Sequence, residues 1–159
     1  MAHPFSLPQE LKLVCLYQGA ANAVTCDVVS MKNFHKGWFI VYHTGANDTD
    51  LTLSLYEATD VAAGTNAAVT ATCQNWLDAD AGTTSDVLVK QTDAYSLAID
   101  PATQNAVLWL LEVDPAILSS GYDCVYLGDS GGHANNFVSI MFAGVPRYLQ
   151  GSLPVAIAD

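Results

Sequence analysis

From Gly37 to Ala58 the chain reads GWFIVYHTGANDTDLTLSLYEA. Trp38 to Thr44 is apolar on both faces, the composition of a strand in the middle of a packed sheet. Gly45 to Asp50 is a run of turn-forming residues. Beyond it Leu51, Leu53 and Leu55 alternate with Thr52 and Ser54, a period-2 pattern with one buried and one polar face. The pattern predicts two strands joined as a hairpin, and this hairpin is expected at the centre of an antiparallel β-sandwich.

The same texture recurs on either side. Leu11, Leu13 and Cys15 alternate with Lys12 and Val14 and predict a first strand ending at Gly19; Val24 to Met31, rich in β-branched residues, predicts a second. A loop with one short helix and an extended small-residue strand both fit Glu57 to Thr72. Ala67 to Cys73 is mildly β in composition, and Leu77 to Asp86 reads as a polar loop. Short strands are expected at Val87–Lys90, Tyr95–Ile99, Tyr122–Leu127 and Asn136–Phe142. The most hydrophobic stretch, Ala106 to Val113, fits a core strand, with a helical turn as the alternative. Asp114 and Pro115 have the residue types of a cap and first position of a short helical turn. About eight or nine short strands separated by turn signals, without strong long helices, give an all-β, antiparallel β-sandwich or jelly-roll-like single domain. Residues 1–10 and 146–159 carry prolines and little periodicity, so they are expected as extended arms around a domain at 11–145.

Charge narrows the partners. Sixteen acids against five bases give a net charge of −11, which argues against a nucleic-acid-binding face, because such faces neutralise phosphates with Lys and Arg. No apolar run approaches the roughly 20 residues of a membrane-spanning helix. The start, MAHPFSLPQE, lacks a basic segment followed by an apolar core, so folding in the cytoplasm is expected. Cys15, Cys26, Cys73 and Cys124 lack C-x-x-C spacing and are expected as reduced thiols. Cys15 and Cys26 meet if they lie on neighbouring strands.

Several local patterns touch on chemistry. GDSGG at Gly128 to Gly132 surrounds the nucleophile in chymotrypsin-like proteases, where a histidine base and a carboxylate serve the serine. Here Ser130 would need His43 or His35. The histidine contexts NFHKG and YHTGA do not match that family, and the chain after Gly132 is too short for the strands of a substrate pocket. A turn between strands is the simpler reading. Asp48 with Asp50, and Asp78 with Asp80, are acidic pairs. A calcium loop starting at Asp78 would need Gly and Glu where Thr83 and Val89 stand. No metal ligand set, no cofactor site and no catalytic residue is expected. Trp38, Trp76 and Trp109 have the residue type of a sugar-binding groove, with core packing as the default for Trp38 and Trp109.

Five phrases in order carry a resemblance: LTLSLYEATD from Leu51, AGTNAA from Ala63, EVDP from Glu112, GYDCVYL from Gly121 and PRY from Pro146. Together they resemble small virion structural proteins of tailed bacteriophages, of the capsid decoration (cement) or minor head protein type. The resemblance implies a β-sandwich on the capsid exterior that binds the major capsid protein lattice and reinforces the shell, commonly as a homotrimer, without catalysis. The arms would then supply contacts, through Phe5, Leu7, Arg147, Tyr148 and Leu149. A tail or neck component of the virion is the neighbouring alternative, and a compact protease using Ser130 the alternative of another class.

Overall fold

The alternating leucines Leu51, Leu53 and Leu55 are fully buried, while Thr52 and Ser54 between them are only half-buried. Full burial of each leucine stabilises the fold by about 2 kcal/mol. The computed structural model describes residues 6–82, 84–104, 106–148 and 152–158. Eleven strands carry the described chain: β1 (Lys12–Ala20), β2 (Val29–Ser30), β3 (Phe34–Thr44), β4 (Leu51–Ala58), β5 (Asn66–Ala68), β6 (Asn75–Asp78), β7 (Val89–Lys90), β8 (Ser96–Ile99), β9 (Ala106–Val113), β10 (Cys124–Gly131) and β11 (Phe137–Pro146). A single helical turn, α1 (Leu7–Glu10), precedes them, and a 3-10 turn at Pro115–Ile117 follows β9. Asp114 caps that turn as its sequence predicts, its carboxylate accepting from the Ala116 N–H at 2.8 Å.

One sheet runs β1-β11-β3-β9-β6-β7 and the other β2-β10-β4-β5, with β8 pairing the first half of β4. The pairings are antiparallel. The sheets pack face to face as an all-β sandwich, around one core that takes residues from both. Trp109 lies in that core and donates its indole N–H to Asn75 Oδ1 at 3.2 Å, while Asn75 donates to the Thr92 carbonyl. Phe142 meets Phe34 and Phe39 edge to face, with ring centroids 5.6 and 5.7 Å apart, a favoured aromatic geometry.

The expected central hairpin does not form. β3 lies between β11 and β9 in one sheet, whereas β4 lies beside β10 in the other. Residues 45–50 are a crossover between layers. The inward row of β3 (Phe39, Val41, His43) and that of β4 (Leu51, Leu53, Leu55) both belong to the interior between the sheets, an arrangement that edge-to-edge pairing would not give. Only Val29 and Ser30 of the expected second strand pair within a sheet, although Asp27 N–H does reach the Leu16 carbonyl. β6 runs into Leu77–Asp86, the stretch expected to be a polar loop, because its two buried polar residues, Asn75 and Asp78, hide a strand pattern.

Where it is described, the N-terminal segment expected as an extended arm is the helical turn Leu7–Glu10, with no buried residue, while the C-terminal segment is anchored. Arg147 donates its backbone N–H to the Asn33 carbonyl at 2.8 Å and its Nε to the Phe34 carbonyl at 2.9 Å. Ala156 is buried in the core, and its carbonyl accepts from Ser30 N–H at 2.7 Å. The C-terminal segment therefore returns to the body of the sandwich rather than trailing away from it.

Asn136 ties three loops together. Its Oδ1 accepts from the Ala46 and Asn47 N–H groups at 2.9 and 2.8 Å, and its Nδ2 donates to the Asn47 carbonyl at 2.9 Å. Its own carbonyl accepts from Ala21 N–H. The residue is 1% exposed, so its loss strands these groups away from water. Asn136→Ala is expected to destabilise the fold by about 2–3 kcal/mol, read as a lower urea midpoint with an unchanged m-value. Unchanged stability would show that these bonds do not hold the crossover.

Candidate interaction surface

The GDSGG stretch is the end of a strand and its exit. Asp129, Ser130 and Gly131 pair with Leu53, Thr52 and Leu51. Gly131 and Gly132 then take φ of +85° and +81°, the left-handed region that glycine enters without strain. Gly132 donates its N–H to the Asp50 carbonyl at 2.6 Å, and a Cβ on it would collide with the Ala21 carbonyl. The two glycines are thus required by a close crossing of three loops.

Ser130 is exposed on the outer face of its sheet, in the row opposite Val125 and Leu127. His43 lies in the inward row of β3, fully buried, between Val138 and Val107 on the flanking strands. A nucleophile needs its base within hydrogen-bond reach. The fold instead puts these two on opposite faces of two different sheets, and His35 is exposed on β3. Neither ring nitrogen of His43 has a hydrogen-bond partner. Burial in this apolar setting pushes its pKa below the ordinary histidine value.

Among the described residues no group of three or more His, Cys, Asp or Glu is placed to hold a metal ion. Asp78 is buried and accepts from Asp80 N–H at 3.2 Å, which makes that acidic pair a turn. No disulfide joins the four cysteines. Burial raises Cys26 to about 12 and Cys73 to about 11, so both stay protonated and unreactive near neutral pH.

Of the residues read as interface candidates, Phe5 and Leu149 lie outside the described residues. Leu7 is on α1 and 44% exposed, and Tyr148 is 69% exposed. The antiparallel register pairs Lys12 with Gly144. The start of β1 and the end of β11 therefore share one end of the sandwich, and Leu7 and Tyr148 both flank it. Arg147 stands beside them with its Nε and backbone N–H committed to the body.

A second apolar surface was not singled out from sequence. The pairings of the six-stranded sheet put Cys15, Met141, Ile40, Leu110 and Trp76 on one outward row, with Leu13 and Trp38 in the row on one side and Tyr42 and Leu108 in the row on the other. Trp38 and Trp76 belong to this outer face as well, not to the core. At one end Trp38 donates its indole N–H to Glu112 Oε2 at 3.0 Å, and Glu112 Oε1 meets Lys36 Nζ at 2.7 Å. That carboxylate raises the Lys36 pKa. At the far edge Lys90 Nζ lies 5.0 Å from the Trp76 ring centre, a cation–π contact. The signal was present in the sequence as the two-sided apolarity of Trp38–Thr44, which marks a strand whose outward face also wants cover.

The His43 environment fixes a pH dependence. The unfolded chain binds a proton at His43 more readily than the folded one, so stability from this residue is fully present above the unfolded value of 6.5. It is lost as pH falls below that value. A urea-midpoint series from pH 7.5 to 5 is expected to decline more steeply for the natural chain than for His43→Leu. Parallel curves would show that His43 stays uncharged without cost.

Comparison of the chain with protein-family models, with curated proteins and with solved structures finds no match.

Proposed function

We propose that the chain is a non-enzymatic structural protein of a tailed-bacteriophage virion, a capsid decoration protein that binds the major capsid protein lattice from outside and stabilises the head. The resemblance supplies the family of this reading. The observation that carries it is the convergence of the two terminal segments at one end of the sandwich, where Leu7 and Tyr148 stand exposed. An exposed tyrosine next to an apolar side chain is the composition of a binding anchor, large, stiff and amphipathic. Three of the five phrases behind the resemblance also come together, while EVDP and PRY lie at the ends of β9 and β11 in the other sheet. LTLSLYEATD supplies β4, AGTNAA leads into β5, and GYDCVYL enters β10, the strands that pair in the five-stranded sheet. Glu57 at the end of the first phrase is buried, and it accepts from Ser119 N–H at 2.8 Å just before the third of these phrases.

The end bearing Leu7 and Tyr148 would meet the shell, and the acidic remainder of the molecule would face solvent. The test is co-sedimentation of the purified protein with expanded capsids lacking it. Saturation at a fixed ratio near one copy per major capsid subunit is expected. Tyr148→Ala is expected to weaken binding about tenfold while the protein keeps its melting temperature. Folded protein that fails to bind capsids but binds purified tails or necks would move the proposal to that part of the virion. Folded protein that binds no part of the particle would overturn it.

A further inference from the structure

The two outer faces of the sandwich differ in kind. The five-stranded sheet turns Thr52, Ser54 and Ser130 outward along the β4–β10 pair, with one aromatic pair, the stacked Tyr56 and Tyr126, at its other end. The six-stranded sheet turns outward a continuous apolar field. Its middle is Ile40, flanked across the strands by Met141 and Leu110, with Tyr42 and Leu13 around it. Leu13, Tyr42 and Met141 are 38%, 41% and 37% exposed, so nothing in the described structure covers them. Single exposed apolar residues are ordinary on protein surfaces; a contiguous field of them marks a partner.

Charge says which partner. The chain has 16 acids and five bases. The outward positions of this sheet hold two acids and two bases: Asp78, which is buried, Glu112, which is paired with Lys36, and Lys90, which lies over Trp76. The field is therefore neutral on a strongly acidic protein. A basic partner would be drawn to the acidic remainder and gain nothing here. A second copy presents an equally neutral apolar face, and it is the approach that keeps like charges apart. Size is of the right order. The four long strands β1, β11, β3 and β9, about 4.8 Å apart and about nine residues long, make a footprint of roughly 600 Å², somewhat below the about 800 Å² per partner of a stable interface.

We infer that the outer face of the six-stranded sheet is a self-association surface, on which a second copy packs its own six-stranded sheet about a two-fold axis. Sheets pack well at a separation of about 10 Å with their strands about 30° apart. A flat face bearing the same residues on both sides closes as a pair. The three-fold assembly implied by the resemblance would instead join unlike surfaces. The inference rests on this face alone and is independent of any capsid.

Cys15 gives a probe within the natural chain. It pairs with Met141, lies on this face and is exposed, whereas Cys73 and Cys124 are buried. Sedimentation of the full chain is expected to show a monomer–dimer equilibrium at micromolar concentration. Modification of Cys15 by a small maleimide, followed by peptide mapping, is expected to slow at least about tenfold when the concentration is raised through that transition. Met141→Glu and Tyr42→Glu, both at exposed positions, are each expected to weaken the dimer at least about tenfold, with circular dichroism unchanged. A chain that stays monomeric at high micromolar concentration would overturn the inference. So would a trimer, or a dimer in which Cys15 reacts at the monomer's rate. Should a variant misfold, the Cys15 measurement on the natural chain still decides.

Discussion

Six residues, 45–50, carry the chain from one sheet to the other, and the sandwich depends on how their backbone is satisfied. A crossover this short leaves polar groups close to the core, where each unpaired one is costly. Asn136 answers two N–H groups and one carbonyl from the side of β11, and Gly132 answers the Asp50 carbonyl from the side of β10. Ala21, at the end of β1, donates to the Asn136 carbonyl. Four loop ends are thereby fixed to one another, and the inward rows of β3 and β4 are held in register across the core.

The same junction accounts for the most protease-like phrase in the chain. Glycines at Gly131 and Gly132 serve backbone crossing rather than an oxyanion, and the serine between strand partners faces out. A sequence motif of five common turn residues carries little information until its surroundings are known. Here the surroundings are another carbonyl and another loop, and His43 is sealed in the opposite sheet.

How much of this was legible in the sequence varied with the kind of signal. The sandwich was legible because alternation in Leu51–Leu55 and apolarity in Trp38–Thr44 and Ala106–Val113 are local. The cap at Asp114 and Pro115 was legible for the same reason. The layer change at residues 45–50 was not, since turn residues look alike whether they join neighbours in one sheet or two faces of a core. β6 was obscured by the buried polar residues Asn75 and Asp78; the burial of Asn75 is made tolerable by partners distant in sequence, Trp109 and Thr92. The candidate contacts Leu7 and Tyr148 were named from the sequence, but their shared location comes from the β1–β11 register. The outer apolar face was hidden in plain view, because a strand apolar on both sides reads as core until one side is seen to be open.

That register also has a consequence for how the molecule is made. β1 takes its place in the sheet against β11, and β11 separates it from β3. During synthesis β1 therefore waits, with its ladder groups unpaired, until almost every other strand has left the ribosome. Non-local pairing of this kind folds slowly, and for that interval the apolar side chains of β1, β3 and β9 lie open to neighbouring chains. Yield in the cell is then governed by chaperone capacity and by the speed of translation, quantities that the finished fold does not display.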